Sequence, residues 1–240
     1  MIGNESCLSK VWAQTIAETD RLHRMFNRFD PASDISRINR EAATIPVDVN
    51  EELWNILTDL KKHHRNTLGY FDVTLRDFNR VILDEKSRTV AFAENNISID
   101  LGGYAKGYAL EKLRTIFATA SVTQALVNFG NSSILAVGSH PHGNYWGIGV
   151  DNPFQPGQPL KIYEMYNQAL SVSGNDTKHA GHIMNPRTGI YNTEKKIVSV
   201  LSNNAVEAEI LSTALMVADE NSIFSIKKMF ENVIINIFVV

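Results

Sequence analysis

The middle of the chain constrains the fold most, because its apolar residues occur in runs that are too short for helices. The runs are residues 125–129, 134–137, 146–150, 160–163 and 169–172, and Gly, Asn and Pro residues separate them. Short apolar runs bounded by turn-forming residues are typical of β-strands. Because no helical pattern lies between these runs, they predict a meander in which consecutive strands pair with each other.

Helical patterns flank this region on both sides. Apolar residues recur there at helix-like spacing, and the predicted helices cover residues 12–26, 51–64, 104–117, 205–218 and 222–230. Further strands are predicted at residues 97–101, 197–201 and 233–240, with a turn and short strand in 67–74 and a polar loop over 31–39.

The mixture of strands and helices predicts the fold class. The central meander is not a repeat of strand, helix and parallel strand, so we expect an α+β fold in which a mixed sheet meander packs with helices. No segment of the chain has the composition of a linker. Residues 1–240 are therefore expected to form one domain, either undivided or built from two interlocked subdomains.

Composition and charge exclude several classes of function. The 240 residues are 44% hydrophobic, which suffices for a sizeable core, and the formal net charge of -3 argues against a nucleic-acid partner. The single cysteine, Cys7, excludes an intrachain disulfide. No apolar run reaches the roughly 18 residues of a membrane helix, and none before Cys7 resembles a signal peptide. We expect no membrane span and no signal peptide in this chain, and the compartment stays unassigned.

A glycine-containing segment joins a predicted strand to a predicted helix. It reads Asp100-Leu-Gly-Gly-Tyr-Ala-Lys106-Gly. Glycines allow the backbone to approach a ligand closely, free amide groups at a helix start favour an anion, and Lys106 adds a positive charge. The segment therefore suits a phosphate group, although a tight strand-to-helix turn with an exposed lysine has the same pattern.

A later predicted helix carries residues suited to metal binding. Glu209 and Thr213 are four positions apart, so they share one helix face, and Ser212 lies beside them. A carboxylate and a hydroxyl are hard oxygen ligands of the kind that Mg²⁺ takes. The same spacing also fits a partly exposed glutamate with a threonine bonded to its own helix, so both interpretations stay open.

Two histidines precede the turn Asn185-Pro-Arg-Thr-Gly. They are His179 and His182. A histidine can accept a proton near neutral pH, which would suit a general base. A structural histidine beside a proline turn has the same appearance in the sequence.

Taken in chain order, these segments resemble the ApbE family of FAD:protein FMN transferases. The resemblance runs from Phe26 to Ala218. Its motifs are Phe29-Asp-Pro-Ala-Ser33 with Asn39, Gly69-Tyr-Phe-Asp72-Val-Thr74, Asp100-Leu-Gly-Gly-Tyr-Ala-Lys106-Gly-Tyr, Val127-Asn-Phe-Gly130, Trp146-Gly-Ile-Gly149, Ser173-Gly174, His182-Ile-Met-Asn-Pro-Arg-Thr-Gly189 and Glu207-Ala-Glu-Ile-Leu-Ser-Thr213-Ala. One short motif is a weak signal, but the common order of all of them is specific. The resemblance implies the family's T-fold-like architecture.

The resemblance also implies a reaction and a role for each matched residue. The family moves FMN from FAD to a threonine or serine hydroxyl of a partner flavoprotein and releases AMP, with Mg²⁺ as cofactor. The expected FAD contacts are Phe29, Tyr70, Phe71, Asp72, Asp100, Lys106 and Met184. The expected metal ligands are the backbone carbonyl of Gly103 and the side chains of Glu209 and Thr213, with Ser212 at a position that sometimes joins them. His182 matches a histidine proposed to activate the acceptor hydroxyl.

The chain departs from the family pattern within the site itself. Glu209 and Asn185 stand where the family has aspartate, and Phe29 stands where it has tyrosine. The stretch between Thr74 and Asp100 is also shorter than in most members. Two alternative functions therefore stay open: FAD binding without transfer, and Mg²⁺-dependent hydrolysis of FAD to FMN and AMP.

Overall fold

Helices form the first part of the fold and return near its end. The computed structural model describes residues 1–74, 76–175 and 181–239. Its helices are α1 (Glu5–Phe26), α2 (Asp34–Glu41), α3 (Glu51–Asn66), α4 (Ala105–Thr119), α5 (Ala205–Val217) and α6 (Glu220–Lys227). Within these ranges, no helix combines the length and the apolar character that crossing a membrane requires.

The strands are mostly short. In chain order they are β1 (Val47–Asp48), β2 (Val81–Asp84), β3 (Thr89–Phe92), β4 (Ala125–Phe129), β5 (Ser133–Val137), β6 (Trp146–Val150), β7 (Lys161–Met165), β8 (Ala169–Gly174), β9 (Met184–Asn185), β10 (Ile190–Tyr191), β11 (Lys196–Ser202) and β12 (Ile234–Val239). β1, β3 and β2 form a small antiparallel sheet of their own.

The predicted meander is present, but two hairpins interrupt it. Five strands form an antiparallel sheet in the order β12-β11-β8-β5-β4. The chain leaves this sheet after β5 to form the hairpin β6–β7, and leaves it again after β8 to form the hairpin β9–β10. The mixed, open-sheet architecture agrees with the predicted α+β class.

The five-stranded sheet lies between α5 and the β6–β7 hairpin. Side chains alternate along β11, so Val198 and Val200 pack in the same core cluster as α5, whereas Ile197 and Leu201 pack with the hairpin. α5 contacts α4 as well as β8 and β11, and most of its residues are buried. The middle of α5 therefore lies beside the start of α4 and the end of β8.

The prediction of a loop at residues 31–39 is wrong, because α2 occupies most of this segment. Ser33 caps this helix, since its hydroxyl oxygen accepts a hydrogen bond from the backbone N–H of Ser36 at 3.0 Å. Ile35 and Ile38 are fully buried and attach the helix to the core. Ser36 between them is buried as well, and Arg37 is partly exposed; these polar residues hid the helix in the sequence.

The strand predicted at residues 97–101 is also wrong, although its apolar residues are buried as expected. The side-chain amide of Asn39 bonds both to the N–H of Ile99 at 2.7 Å and to its carbonyl at 2.9 Å. A side chain thus satisfies the backbone groups that a neighbouring strand would otherwise satisfy. The backbone at Ile99 is satisfied without any pairing to a strand.

Smaller differences concern the ends of elements and their exposed faces. Residues 67–74 contain turns instead of a strand, and the first helix begins at Glu5, before its predicted start. Trp12 and Ile16, two of the apolar residues whose spacing predicted that helix, are 58% and 43% exposed. The last predicted strand ends at Val239, and Val240 lies outside the described residues.

Candidate active site

A cavity of about 600 Å³ lies where the start of α4, the middle of α5 and the end of β8 meet. Most residues predicted for the site line it, although they come from distant parts of the sequence. They are Tyr70, Phe71, Asp72, Asp100, Gly103, Lys106, His182, Met184, Glu209 and Thr213. The structure therefore brings together ten of the predicted positions and leaves Phe29 and Ser212 outside this cavity.

The start of α4 faces the cavity without a side-chain cap. The other five helices within the described ranges each have a capping side chain, whereas Tyr104 makes no such bond at the start of α4. The N–H of Ala105 donates to the carbonyl of Leu101 at 2.8 Å, so the N–H groups that this uncapped turn offers to an anion are those of Lys106 and Gly107. The helix dipole favours negative charge there. Lys106 in this turn adds a full positive charge at the cavity wall.

Gly107 lets α4 and α5 approach each other closely. A Cβ atom added there would lie 2.6 Å from the carbonyl oxygen of Ala205 and 3.0 Å from the Cβ atom of Glu209. Any side chain would therefore force the two helices apart. The glycine that follows Lys106 in the motif thus sets the distance between Lys106 and Glu209.

Asp100 shapes the turn that leads into α4. One carboxylate oxygen accepts a hydrogen bond from the N–H of Gly102 at 2.9 Å, and the other lies 3.2 Å from Nε of Arg28. Both oxygens of the carboxylate therefore have partners within the protein. We assign Asp100 the task of holding the glycine turn in place at the cavity wall.

Glu209 is the buried carboxylate of the site, with 3% of the residue exposed. Its Oε2 accepts hydrogen bonds from Ser133 at 2.6 Å and from Ser171 at 3.1 Å. Its Oε1 lies 2.6 Å from Nζ of Lys106. A buried carboxylate is costly unless it is paired, and these three donors satisfy both of its oxygens.

Thr213 and Gly103 line the same cavity as Glu209. The hydroxyl of Thr213 donates to the carbonyl of Glu209 at 3.0 Å, which leaves its oxygen lone pairs available. The space beside Gly103 is bounded by Thr213, whose Oγ1 lies 3.6 Å from the position of an added Cβ atom. Among the residues that the structure describes, no three His, Cys, Asp or Glu side chains converge as a metal site.

Ser212 does not line the cavity. Its hydroxyl donates to the carbonyl of Glu209 at 3.0 Å and lies 2.9 Å from both Ser171 and Ser173. The residue is fully buried within this chain of hydroxyl groups. We therefore leave Ser212 out of the set of metal ligands that the geometry favours.

The segment from Tyr70 to Asp72 forms another wall of the cavity. The carboxylate of Asp72 accepts bonds from the N–H groups of Thr74 at 2.7 Å and Phe78 at 2.8 Å, so it is used inside its own loop. The Tyr70 hydroxyl donates to Asp219, and this bond, together with hydrogen bonds from Ser222, lowers the pKa of Asp219 to about 2. Tyr70 and Phe71 are almost fully buried, so they line the cavity from within the core.

Phe29 lies beside a second, smaller cavity of about 380 Å³ that shares Asp100, Gly102 and Lys106 with the first. The residue is 81% exposed, and the guanidinium group of Arg28 lies 4.7 Å from the centroid of its ring. The two cavities form neighbouring compartments around the start of α4. A ligand larger than one compartment would reach Phe29 by crossing the Gly102 turn.

His182 precedes β9, and Met184 is the first residue of that strand. Both line the main cavity, and His182 is exposed at its mouth. His179, the other histidine noted in the sequence, lies outside the described residues.

Sequence reasoning missed the serine residues that hold Glu209. Ser133 and Ser171 are 1% and 2% exposed and sit opposite each other on β5 and β8. Their position in or directly beside predicted strands could have indicated that each hydroxyl has a buried hydrogen-bond partner, because buried polar groups are nearly always hydrogen-bonded. Their common partner could not be predicted, since it depends on the register between these strands.

Comparison with known proteins places the chain among proteins of one family. The sequence profile of the ApbE family matches residues 4–82 and 74–235. The FAD:protein FMN transferase of Chlamydia muridarum is 27% identical over an alignment of 235 positions, and this alignment covers 82% of this chain and 72% of that protein. A protein of the same name from Klebsiella pneumoniae is 31% identical over 144 residues, which cover 56% of this chain and 43% of that protein.

Solved structures share the fold. The ApbE protein of Thermotoga maritima superimposes with a TM-score of 0.85 at 22% identity, covering 96% of this chain and 86% of that one. The flavin transferase ApbE of Vibrio cholerae has the same TM-score at 16% identity, covering 99% of this chain and 86% of that one. Because the family profile spans most of the sequence, the chain belongs to the ApbE family.

Proposed function

We propose that this protein is an FAD:protein FMN transferase, which attaches FMN to a threonine or serine of a partner flavoprotein. Several relatives, including the protein of Chlamydia muridarum, carry this name. The observation that carries the proposal is the cavity itself. It combines the uncapped start of α4 and the ammonium group of Lys106 with the buried carboxylate of Glu209.

The reaction exchanges one phosphorus–oxygen bond for another. The acceptor hydroxyl oxygen attacks the phosphorus atom on the FMN side of the FAD pyrophosphate, and the bond from that phosphorus to the AMP half breaks. The hydroxyl proton leaves, and AMP departs with the electron pair of the broken bond. Repulsion between the nucleophile and the charged phosphates is the main obstacle, so positive charge and positioning provide most of the catalysis.

Residues of this chain meet those needs at the start of α4. Lys106 and the free N–H groups of the first helical turn bind the pyrophosphate and offset its charge. Tyr70 and Phe71 pack against a ring system of FAD, and Met184 closes the same cavity. His182 at the mouth accepts the proton of the incoming hydroxyl, since the acceptor protein must approach from solvent.

The residues near Glu209 fit a magnesium ion. A buried carboxylate oxygen, the hydroxyl of Thr213 one helical turn later and the backbone carbonyl of Gly103 form a set of hard oxygen donors. Glu209 Oε1, Thr213 Oγ1 and the Gly103 carbonyl would hold the ion. Magnesium supplies charge that neutralises the phosphates and stabilises the leaving AMP.

The extra methylene of Glu209, compared with the family's aspartate, is accommodated by the sheet. Ser133 and Ser171 bond to one carboxylate oxygen and fix it against the strands, so the other oxygen faces Lys106 and the cavity. The substitution is therefore compatible with a metal site.

The proposal is tested by incubating the protein with FAD, Mg²⁺ and a recombinant acceptor domain of a flavoprotein. We expect intact-mass spectrometry to find FMN attached to the acceptor and chromatography to find an equal amount of AMP. An acceptor whose target hydroxyl residue is replaced by alanine serves as the matched control and should stay unmodified. FMN and AMP without attachment would indicate a pyrophosphatase, and bound but intact FAD would indicate a binding protein. Either result would overturn the proposal.

A further inference from the structure

The two oxygens of the Glu209 carboxylate have partners of different kinds. Oε2 is bonded by Ser133 and Ser171, which are almost fully buried on β5 and β8. Oε1 is bonded by Lys106, whose side chain is 38% exposed. The inner half of the carboxylate is thus fixed by the sheet, while the outer half is held by a side chain that reaches solvent.

Lys106 is the movable partner of this pair. Within the described residues, its ammonium group also bonds to the hydroxyl of Ser132 at 3.2 Å, which is a long bond. A lysine side chain carries many rotamers, and an ammonium group that stays at the surface keeps much of its hydration when it moves. Leaving Glu209 therefore costs Lys106 little, provided that another cation takes its place on the carboxylate.

The ammonium group occupies the same oxygen that a divalent cation would use. Oε1 faces the cavity, and Thr213 follows one turn later on the same helix face. If Lys106 and a metal ion were bound to Oε1 at the same time, two cations would lie against one buried oxygen atom. Such crowding is unfavourable, so the two are alternatives at this position.

We propose that Lys106 is an exchangeable counter-ion, which neutralises Glu209 in the metal-free protein and is displaced into the cavity when a divalent cation binds. The displaced ammonium group then faces the compartment where the proposed function puts the FAD pyrophosphate. Metal binding thereby prepares the protein for its anionic substrate. This inference rests on the proposed function for the metal's role, but its tests involve neither FAD nor transfer.

Chemical labelling of the wild-type protein tests the exchange directly. The ε-amino groups are acylated for a short time with and without Mg²⁺, in the absence of FAD, and the modified lysines are quantified by peptide mass spectrometry. Lys112 is a matched internal control, because it lies on the same helix, pairs with Glu52 at 2.8 Å and has a side chain that is 36% exposed. We expect Mg²⁺ to raise the labelling of Lys106 several-fold and to leave Lys112 unchanged. Equal labelling of Lys106 with and without Mg²⁺ would overturn the proposal.

A pair of variants tests the same competition through metal affinity. Lys106→Met should bind Mn²⁺ about tenfold more tightly than the wild type in the absence of FAD, because the ion no longer displaces a charge-assisted hydrogen bond. Lys112→Met removes an equal charge from α4 without touching Glu209, and its Mn²⁺ affinity should match the wild type. Circular dichroism confirms that both variants fold, and titration calorimetry measures the dissociation constants.

The opposite results are equally informative. Unchanged or weaker Mn²⁺ binding by Lys106→Met would mean that Lys106 is a permanent partner of Glu209 or helps to hold the ion, and the exchange would be wrong. Absence of metal binding in all three proteins would also overturn it. Failure of FMN transfer with intact metal exchange would instead contradict the proposed function alone.

Discussion

At the residue scale, two glutamate–lysine ion pairs of this protein have different roles. Glu52 and Glu209 each bind a lysine of α4, which is Lys112 in one case and Lys106 in the other. Glu52 lies near the surface and is held by charged groups, whereas Glu209 is buried and held by serine hydroxyls. The first pair stabilises the fold, and the second occupies the site.

Glu52 stabilises the folded protein at neutral pH, and this stabilisation is lost in acid. Burial alone would raise its pKa, but hydrogen bonds from Arg21, Lys112 and Tyr108 outweigh burial and lower the pKa to about 2. The unfolded value is about 4.3, so the stabilisation is fully present above about pH 5 and is lost as the pH falls toward 2. Glu52→Gln should lower the free energy of unfolding by about 1–2 kcal/mol at pH 7, after allowing for solvent screening.

Urea denaturation at pH 7 and at pH 3 checks this prediction. The difference between the wild type and Glu52→Gln should shrink at pH 3. A difference that stays constant between the two pH values would contradict the assigned cause.

The sequence could predict which residues share one helix face, because helix spacing is local. The separation of Glu209 and Thr213 places both on one face of α5, and the structure has them so. It could not predict that Lys106 bonds to Glu209, because that contact joins positions far apart in the chain. The same holds for Ser133 and Ser171, whose alignment depends on how β5 and β8 pair.

At the scale of elements, the packing of α4 against α5 sets the geometry of the site. The contact depends on Gly107, where an added Cβ atom would meet backbone atoms of α5. The sequence indicated the helix but not this contact. It also hid α2, since Ser33 acts as a cap only once Ile35 and Ile38 find a core to join.

Gly107→Ala should destabilise the protein. Alanine favours a helix over glycine by about 1 kcal/mol, but a clash with backbone atoms forces α5 to shift and costs about 1–3 kcal/mol. We expect a net loss of stability and weaker FAD binding, because Lys106 and Glu209 would be moved apart. Thermal denaturation and flavin fluorescence titration measure the two effects.

Gly147→Ala is the matched control for this substitution. An added Cβ atom at Gly147 meets nothing within 4 Å, so the free energy of unfolding should change little. If Gly107→Ala proved as harmless as Gly147→Ala, close packing of the two helices would not be what positions the site.

At the scale of the whole molecule, the cavity is assembled from segments that span most of the sequence. The family motifs predicted which segments take part, and the predicted family and α+β fold are confirmed. The sequence could not predict that two hairpins leave the main sheet. Nor could it predict that the Asn39 side chain bonds to the backbone of Ile99 in place of a neighbouring strand, since both features depend on tertiary contacts. Local patterns thus predicted ten of the residues that line the cavity, and only the fold gives the distances between them.

The most direct test of the central claim is a crystal structure of the protein with FAD and Mn²⁺, using the anomalous signal of manganese to locate the ion. We predict an anomalous peak beside Oε1 of Glu209 and the hydroxyl of Thr213, with the FAD pyrophosphate in the same cavity and the ammonium group of Lys106 turned toward it. FAD bound elsewhere, or a manganese peak away from Glu209 while Lys106 stays on the carboxylate, would contradict the account.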